Sequence, residues 1–352
     1  MKVLHLPYNI GSKISITVSA LRKIGVDAKG IAVNNSLDEA GENILVFNPH
    51  DYSIFNPKKL FVYLQASREI KKWIQWADIV HWYFDCRLMR TERFVDYVKY
   101  LNKPAVVEWL GSEIRIPEIL AAHNSYYKKT FDADYGYKHE SHEHSLYVQN
   151  KFKNAGFETL VRPELEEFIQ KDIYPSFRKI NNRTYVKNFI PSFPNPENKK
   201  PLIVHPSTSR GTKGTSHVLN AIKLLKLKYQ FDFLTIENEI HHEAMNKLSK
   251  ADIVIDQLIL GAFGTTSLEG MALGKPVVCG LTAALQQKLP GIPIVNANPD
   301  TLYSVLETLL TNPALRNQIG ISSRKYAEEN HDADKIAVQL SNIYEEVIRN
   351  KK

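Results

Sequence analysis

Cysteine is almost missing from this chain: Cys86 and Cys279 are the only two among 352 residues. Two distant thiols exclude a disulfide scaffold and a cysteine-based zinc site, and they suit a reducing, cytoplasmic setting. Long hydrophobic runs are missing too. No apolar stretch reaches the roughly 18 residues that a membrane span needs. The opening MKVLHLPYNIGSK is broken too early by Pro7, Asn9 and Gly11 to read as a signal peptide. Charge of one sign is nowhere concentrated. Lysine and arginine number 45 against 38 acids, a net charge of +7, and the basic residues are scattered. No run matches a nucleic-acid motif, so no nucleic-acid partner is expected, and no helix is cationic enough to anchor a membrane alone. The small excess favours an anionic partner such as a nucleotide phosphate, and leaves room for peripheral contact with the inner face of a membrane.

Hydrophobic residues make up 43% and charged residues 24%, the balance of a folded soluble protein, and the length suits two domains. The opening segment reads strand, glycine loop, helix, strand. Val3, Leu4 and Leu6 form an apolar run, and Gly11 falls in the turn. Ile16, Ala20, Leu21 and Ile24 recur at helical spacing before Gly25, a natural stop. Short apolar runs at 44–47, 79–82 and 105–107 alternate with helical patterns, which predicts a parallel sheet covered on both faces.

The same grammar restarts near residue 201, with a strand over 201–204, Gly211 and Gly214 in a loop, and a helix over 216–227. Ala77-Asp78-Ile79-Val80 recurs as Ala251-Asp252-Ile253-Val254, and Lys103-Pro104 recurs as Lys275-Pro276 at nearly the same offset. These repeats predict two Rossmann-like halves, 1–190 and 201–332. A stiff, extended linker over 191–200 is expected between them, carrying Pro191, Pro194 and Pro196 with Pro201 just beyond. The last segment, 333–352, reads as an amphipathic helix long enough to cross back to the first half. Ligands of open α/β sheets bind at the carboxyl ends of the strands, so chemistry is sought in the strand-exit loops.

The richest such loop begins at Gly261: Gly-Ala-Phe-Gly-Thr-Thr-Ser-Leu-Glu-Gly-Met-Ala-Leu-Gly-Lys-Pro-Val-Val. It follows a strand predicted over 253–256 and leads into a helix starting near Thr266 or Ser267. A helix start offers free N–H groups and a positive dipole end, which hold phosphate without a metal. Glu269 falls in the first turn. Thr266-Ser-Leu-Glu269 is also a capping box, in which Glu269 would only bond back to the backbone. Upstream, His205-Pro-Ser-Thr-Ser-Arg-Gly-Thr-Lys-Gly214 places Arg210 and Lys213 among glycines at a strand exit. That position suits phosphate, though ordinary exposed cations also occur in loops.

The 261–276 stretch resembles the signature of the GT-B glycosyltransferases of the large retaining family four. There a strand leads to a glutamate, then Gly-Phe-Gly, a second glutamate, and a helix ending Gly-Lys-Pro. Phe263, Gly264, Glu269, Gly274, Lys275 and Pro276 match it. The resemblance implies an α/β, GT-B fold of two Rossmann-like domains facing a central cleft. It implies a nucleotide-diphosphate sugar as donor substrate and no further cofactor. Glu269 would bond the ribose hydroxyls. Backbone amides of Phe263, Gly264, Thr265, Thr266 and Ser267 would receive the distal phosphate. Lys213 and Arg210 would do the catalytic work of stabilising the departing diphosphate. Thr208 stands near where the family places its arginine. Ile240, in the exit loop of a strand predicted over 233–236, would border the base, or serve only as a hydrophobic anchor. The chain departs from the pattern at Gly261, where the first glutamate, a donor-sugar contact, is expected.

In the first half, Val106-Val-Glu-Trp-Leu-Gly-Ser-Glu-Ile-Arg115 resembles a family variant reading His-Gly-Ser-Asp-x-Arg, with Leu110 at the histidine and Glu113 at the aspartate. Glu113 and Arg115 would orient an acceptor hydroxyl or the donor sugar; equally, they would pair with each other or cap the next helix. Gly11 matches the glycine that lets the acceptor domain approach the donor phosphates, and also suits a plain turn. The run His139-Glu-Ser-His142-Glu-His144 lacks the i, i+4 pairing of a zinc helix and reads as a loop or helix start, as does His241-His242-Glu243. Trp73 and Trp76, on a basic helix over 68–76, suit buried packing more than lipid. Asp132-Ala-Asp134 has metal–diphosphate spacing but sits in an expected polar loop, so no metal is expected. The expected reaction moves a sugar to a hydroxyl of a glycan, glycolipid or small-molecule acceptor, with retention and without a metal, in polysaccharide or glycoconjugate synthesis. Two alternatives stay open: a nucleotide-sugar epimerase on the same fold, and a non-catalytic nucleotide-sugar-binding protein that has lost the glutamate, the arginine and the histidine.

Overall fold

The computed structural model describes residues 1–33, 42–47, 57–84, 92–133, 135–137, 139–237 and 239–351; Cys86 and Asp134 lie outside them. In chain order the first half forms β1 (Lys2–Pro7), α1 (Lys13–Lys23), β2 (Asp27–Ala32), β3 (Ile44–Val46), α2 (Pro57–Trp76), β4 (Ile79–Tyr83), α3 (Glu92–Tyr100), β5 (Ala105–Glu108), α4 (Pro117–His123), α5 (Ser125–Ala133), α6 (His142–Asn154), β6 (Glu158–Val161) and β7 (Arg178–Lys179). The second forms β8 (Leu202–Pro206), α7 (Arg210–Lys213), α8 (Thr215–Leu225), β9 (Asp232–Ile236), α9 (His241–Ser249), β10 (Ile253–Ile255), α10 (Thr265–Ala272), β11 (Val277–Cys279), α11 (Ala283–Lys288), β12 (Val295–Asn296), α12 (Leu302–Thr311), α13 (Pro313–Asn330) and α14 (Ala333–Lys351).

The strands assemble into two sheets, ordered β3-β2-β1-β4-β5-β6-β7 and β12-β11-β10-β8-β9. All their pairings among the described residues are parallel. The central strands are sealed on both faces, which is why they read as short apolar runs rather than as alternating patterns. Among the described residues, no helix is long and apolar enough to cross a membrane.

The chain divides into two compact units. The first comprises Met1–Arg115, Glu140–Arg183 and Ala333–Lys352; the second comprises Ile116–His139 and Thr184–Asp332. Residues 116–139, counted above with the first domain, thus belong to the second unit: the Asn124 amide donates to the Ile259 carbonyl at 2.6 Å, and the Tyr126 hydroxyl bonds Asp300. Within the first unit α14 packs on α1, and its Tyr344 hydroxyl lies 2.6 Å from His81 Nδ1. The proline-rich stretch is built into the second unit rather than standing free. The Ser192 N–H donates to the Leu273 carbonyl at 2.9 Å, Lys275 Nζ bonds the Ser192 carbonyl, and Phe193 lies against Gly274. Gly274 ends α10 in the left-handed conformation (φ 73°). The Gly-Lys-Pro run therefore terminates a helix and anchors the connecting segment.

A layer of buried polar groups runs beneath α1 and α14 in the first unit. His5 of β1 and His81 of β4 are register partners, as are Tyr83 and Glu108. Arg183 grips Glu108 bidentately, Nη1 to Oε1 at 3.0 Å and Nη2 to Oε2 at 2.8 Å, and donates through Nε to Thr17 Oγ1 at 2.6 Å. Burial alone would raise the Glu108 carboxyl, but the Arg183 guanidinium and His81 outweigh it and hold the group far below the usual carboxylate range. Lys13, buried in the first turn of α1, is lowered to about 7 by burial and by the neighbouring Arg183 and Arg162.

Candidate functional site

The second unit gathers its charged groups at the carboxyl edge of its sheet. Lys213 closes α7, the short turn that follows β8, and Gly214 leaves it in the left-handed conformation (φ 69°) to start α8. Lys213 Nζ pairs with Asp256, the residue immediately after β10, and lies 3.5 Å from Thr266 Oγ1. Asp256 is fully buried and also accepts from the Ser267 N–H at 3.1 Å, the Ser267 hydroxyl, and more distantly the Gly264 N–H at 3.4 Å. Burial pushes the Asp256 carboxyl up, while Lys213 and the Ser267 bonds pull it below its ordinary value. Asp256 therefore caps α10 from outside the helix. The helix N-cap is Gly264, whose missing side chain leaves that work to Asp256.

This assignment removes the capping-box alternative for Glu269. The helix begins at Thr265, so Glu269 stands beyond the first turn, and its carboxylate bonds His241 Nε2 at 2.8 Å instead of the backbone. His241 opens α9, just after Ile240, and its side chain is 45% exposed against 11% for Glu269. Among the described residues Glu269 Oε2 has no hydrogen-bond partner. Ile240 is the α9 N-cap and is exposed. Arg210, half exposed, pairs with Glu237 in the β9 exit, which also accepts from Ser207 Oγ at 2.7 Å. Thr208 is exposed beside it. Thr265 and Thr266 are partly exposed, whereas Ser267 is buried and the Phe263 ring packs in the core, edge-on to His331. His205, at the end of β8, has both ring nitrogens engaged: Nδ1 with the Ile255 carbonyl at 2.9 Å, Nε2 with Thr215 Oγ1 at 3.0 Å. Burial lowers it to about 4.

Lys213, Thr266 and Ser267 thus come together around Asp256, while Glu269 joins His241 and Arg210 joins Glu237. Asp256, His241 and Glu237 were not singled out as site residues from the sequence. The signal for Asp256 was an acid directly after an apolar strand, Ile253-Val254-Ile255-Asp256. Glu237, directly after Phe233-Leu234-Thr235-Ile236, carries the same mark; His241 carries none.

Position 261 explains the missing glutamate sterically. Gly261 is left-handed (φ 69°), and a Cβ built there would lie 2.6 Å from Thr282 Cγ2. A side chain is therefore disfavoured on both backbone and packing grounds.

In the first unit the three acceptor-side candidates separate. Gly11 sits in an exposed left-handed turn (φ 55°) between β1 and α1, where the Asn9 side chain caps the helix through the Ile14 and Ser15 N–H groups. Glu113 is buried and accepts from the Leu110 and Gly111 N–H groups, so it braces the β5 exit loop; burial raises it to about 7 against those bonds. Arg115 pairs with Glu140. Glu113 and Arg115 neither pair with each other nor cap α4, whose N-cap Ile116 has no side-chain cap bond. The histidine run 139–144 opens α6, with Ser141 Oγ accepting from the His144 N–H at 3.0 Å. Asp132 lies in α5 rather than in a polar loop.

No family model matches the chain. An uncharacterised glycosyltransferase of Methanocaldococcus jannaschii is 30% identical over 110 residues, which cover 30% of this chain and 28% of that protein. The match thus spans under a third of the relative's length. Among solved structures, sucrose-phosphate synthase from Thermosynechococcus elongatus is similar with a TM-score of 0.70 at 13% identity, over 99% of this chain and 100% of that one. The fold is GT-B. A glycosyltransferase from Rickettsia africae shares the GT-B likeness with a TM-score of 0.65 at 18% identity, over 99% of each chain. Anabaena HepE, solved in complex with UDP-glucose, does so with a TM-score of 0.61 at 13% identity, over 98% of this chain and 100% of its own.

Proposed function

We propose that this protein is a glycosyltransferase that moves a sugar from a nucleotide-diphosphate sugar to an acceptor hydroxyl. The observation that carries the reading is the joint at Lys213: a buried ammonium at a strand exit, held against the start of α10, with the Glu269 carboxylate on the same helix. An ammonium has three donors. Asp256 takes one and Thr266 lies near a second, which leaves capacity for a phosphate oxygen. Asp256 fixes the ammonium in place before the ligand arrives. Arg210 is exposed enough to turn from Glu237 to a diphosphate. Glu269 Oε2 is free to accept a ribose hydroxyl while His241 holds Oε1. As the glycosidic bond to the diphosphate breaks, negative charge grows on the leaving oxygens. Fixed donors stabilise it without reorganisation. The motif resemblance supports retention and a metal-independent reaction in the cytoplasm, on a glycan, glycolipid or small-molecule acceptor.

The test is a panel of nucleotide sugars, scored for acceptor-dependent release of nucleoside diphosphate with and without chelator. Release that persists in chelator supports the reading. Absence of nucleoside-diphosphate binding by calorimetry overturns it, and loss of turnover in chelator restored by magnesium overturns the metal-independent part. Gly261 favours one second reading, since no side chain at that position reaches the donor sugar. A binding protein without turnover would retain donor affinity and release nothing with any acceptor.

A further inference from the structure

In the second unit, the loops after β10, β11 and β12 and the start of α5 enclose a cavity of about 590 Å³. It lies on the β11–β12 side of the sheet, whereas Lys213, Arg210 and Glu237 sit at the exits of β8 and β9. None of the described residues that line it is a lysine, arginine or histidine, although the chain carries a net charge of +7. Asp300 is the one carboxylate among the described lining residues. A phosphate or carboxylate entering here would meet the Asp300 carboxylate with no cation among the lining residues to bond it, at a cost in repulsion and desolvation; Lys129 Nζ, 5.7 Å from the Tyr126 ring centre, and His217, edge-on to the same ring, stand outside the lining.

The remaining surface mixes apolar faces with hydroxyl and amide groups: Leu258, Leu281 and Val305 beside Thr282, Ser304 and Asn298. That mixture suits a ligand with C–H faces and a hydroxyl rim. The loop after β12 also holds two hydrogen-bonding groups in reserve. Asn298 Oδ1 accepts from the Asp300 and Thr301 N–H groups at 2.9 and 3.0 Å, while its Nδ2 has no partner among the described residues. Asp300 Oδ1 receives the Tyr126 hydroxyl, and Oδ2 has no partner among the described residues. A donor and a charged acceptor two residues apart are what reading a pair of adjacent hydroxyls requires: one hydroxyl accepts from the amide and the other donates to the carboxylate.

We propose that this cavity binds a neutral sugar ring, with Asp300 and Asn298 reading adjacent hydroxyls. The site uses none of the residues read as nucleotide contacts, and it includes Gly261, where the resemblance places a donor-sugar contact. The test is saturation-transfer NMR on the full chain with methyl α-glucoside, α-galactoside and α-mannoside, alongside glucose 6-phosphate and spermidine. At least one neutral glycoside should bind saturably. The phosphate should bind at least about tenfold more weakly, and spermidine should not displace the glycoside. Asn298→Asp keeps the loop acceptor and removes the donors; Asp300→Ala removes an exposed carboxylate. Each should weaken the glycoside by about tenfold, and Ser304→Trp should abolish it, with circular dichroism unchanged. Absence of saturable glycoside binding, equal affinity in all three variants, or preference for the phosphate or for spermidine would each overturn the proposal. Calorimetry with nucleoside diphosphates on the same samples separates the two readings: glycoside binding without nucleotide binding sinks the donor site alone, and the converse sinks this one alone.

Discussion

Glu108 in the first unit and Glu269 in the second each meet a histidine, His81 at 3.3 Å and His241 at 2.8 Å, yet they do different work. Glu108 ends a strand, points beneath helices and has both oxygens taken by Arg183. Glu269 lies on a helix at the sheet's carboxyl edge, its histidine is nearly half exposed, and one oxygen is unengaged. The arginines divide likewise: Arg183 is 1% exposed and makes four hydrogen bonds, to Glu108, Tyr83 and Thr17, whereas Arg210 is 54% exposed and pairs with the Glu237 carboxylate. A charge whose bonds are all filled inside the protein contributes to the fold. A charge with unfilled bonds at a strand exit is able to bind something. Residue type does not separate the two cases; the count of satisfied bonds does.

The largest test of that distinction is Glu108→Ala. It leaves the Arg183 guanidinium buried without its partner, and urea unfolding should show a loss of about 3–5 kcal/mol. Glu108→Leu with Arg183→Met should recover most of it, and nucleoside-diphosphate affinity of the folded protein should not move. If the single variant costs nothing, the sealed layer is not structural.

His205 gives a pH-dependent test in the second unit. Burial lowers it in the folded protein to about 4, below the ordinary value of 6.5, so the unfolded chain binds more protons between those values. Its contribution is therefore complete above pH 6.5 and is lost as pH falls through that window, by about 3 kcal/mol in all. Unfolding free energies from pH 7 to 4 should show this slope, and His205→Gln should flatten it.

Lys213→Ala should weaken nucleoside-diphosphate binding tenfold to a hundredfold, since a charge-assisted bond contributes about 1.5–3 kcal/mol. It should also destabilise the protein, because Asp256 loses its counter-charge. Unchanged affinity in a folded variant would make Lys213 the structural partner of Asp256 and nothing more.

Glu269→Gln should cost about tenfold in ribonucleotide affinity, and less with the 2′- or 3′-deoxy analogue. Thermal stability should hold, because the residue does not cap α10. The smallest effect is expected for Arg210→Ala. An exposed pair is worth about 0.2–1 kcal/mol, so calorimetry should read a loss of at most about fivefold. A larger loss would place Arg210 level with Lys213.

Much of the fold was legible in the chain. The strand predicted over 79–82 forms as Ile79–Tyr83, that over 233–236 as Asp232–Ile236, and the helix expected near Thr266 begins at Thr265. These are local matters of apolar runs, helical spacing and glycine stops. The site was legible as a set of loops but not as a set of partners. A capping-box role stayed open for Glu269 beside the ribose contact because its spacing from Thr266 suits one, and only the helix start at Thr265 and the presence of His241 exclude that alternative. Pairing between Glu113 and Arg115 stayed open as one alternative because they are close in sequence; each instead bonds outside the pair.

The chain by itself determined the two-sheet α/β grammar, the order of its elements and the loops that leave its strands, because periodicity, caps and turns act over a few residues. Tertiary structure alone decided that Asp256 holds Lys213, that Arg183 seals Glu108, that residues 116–139 belong to the second unit, and that Asn298 and Asp300 line a cavity with Tyr126. Each of those joins residues whose approach depends on strand order and on where each exit loop lands, and nothing in a local pattern encodes that distance.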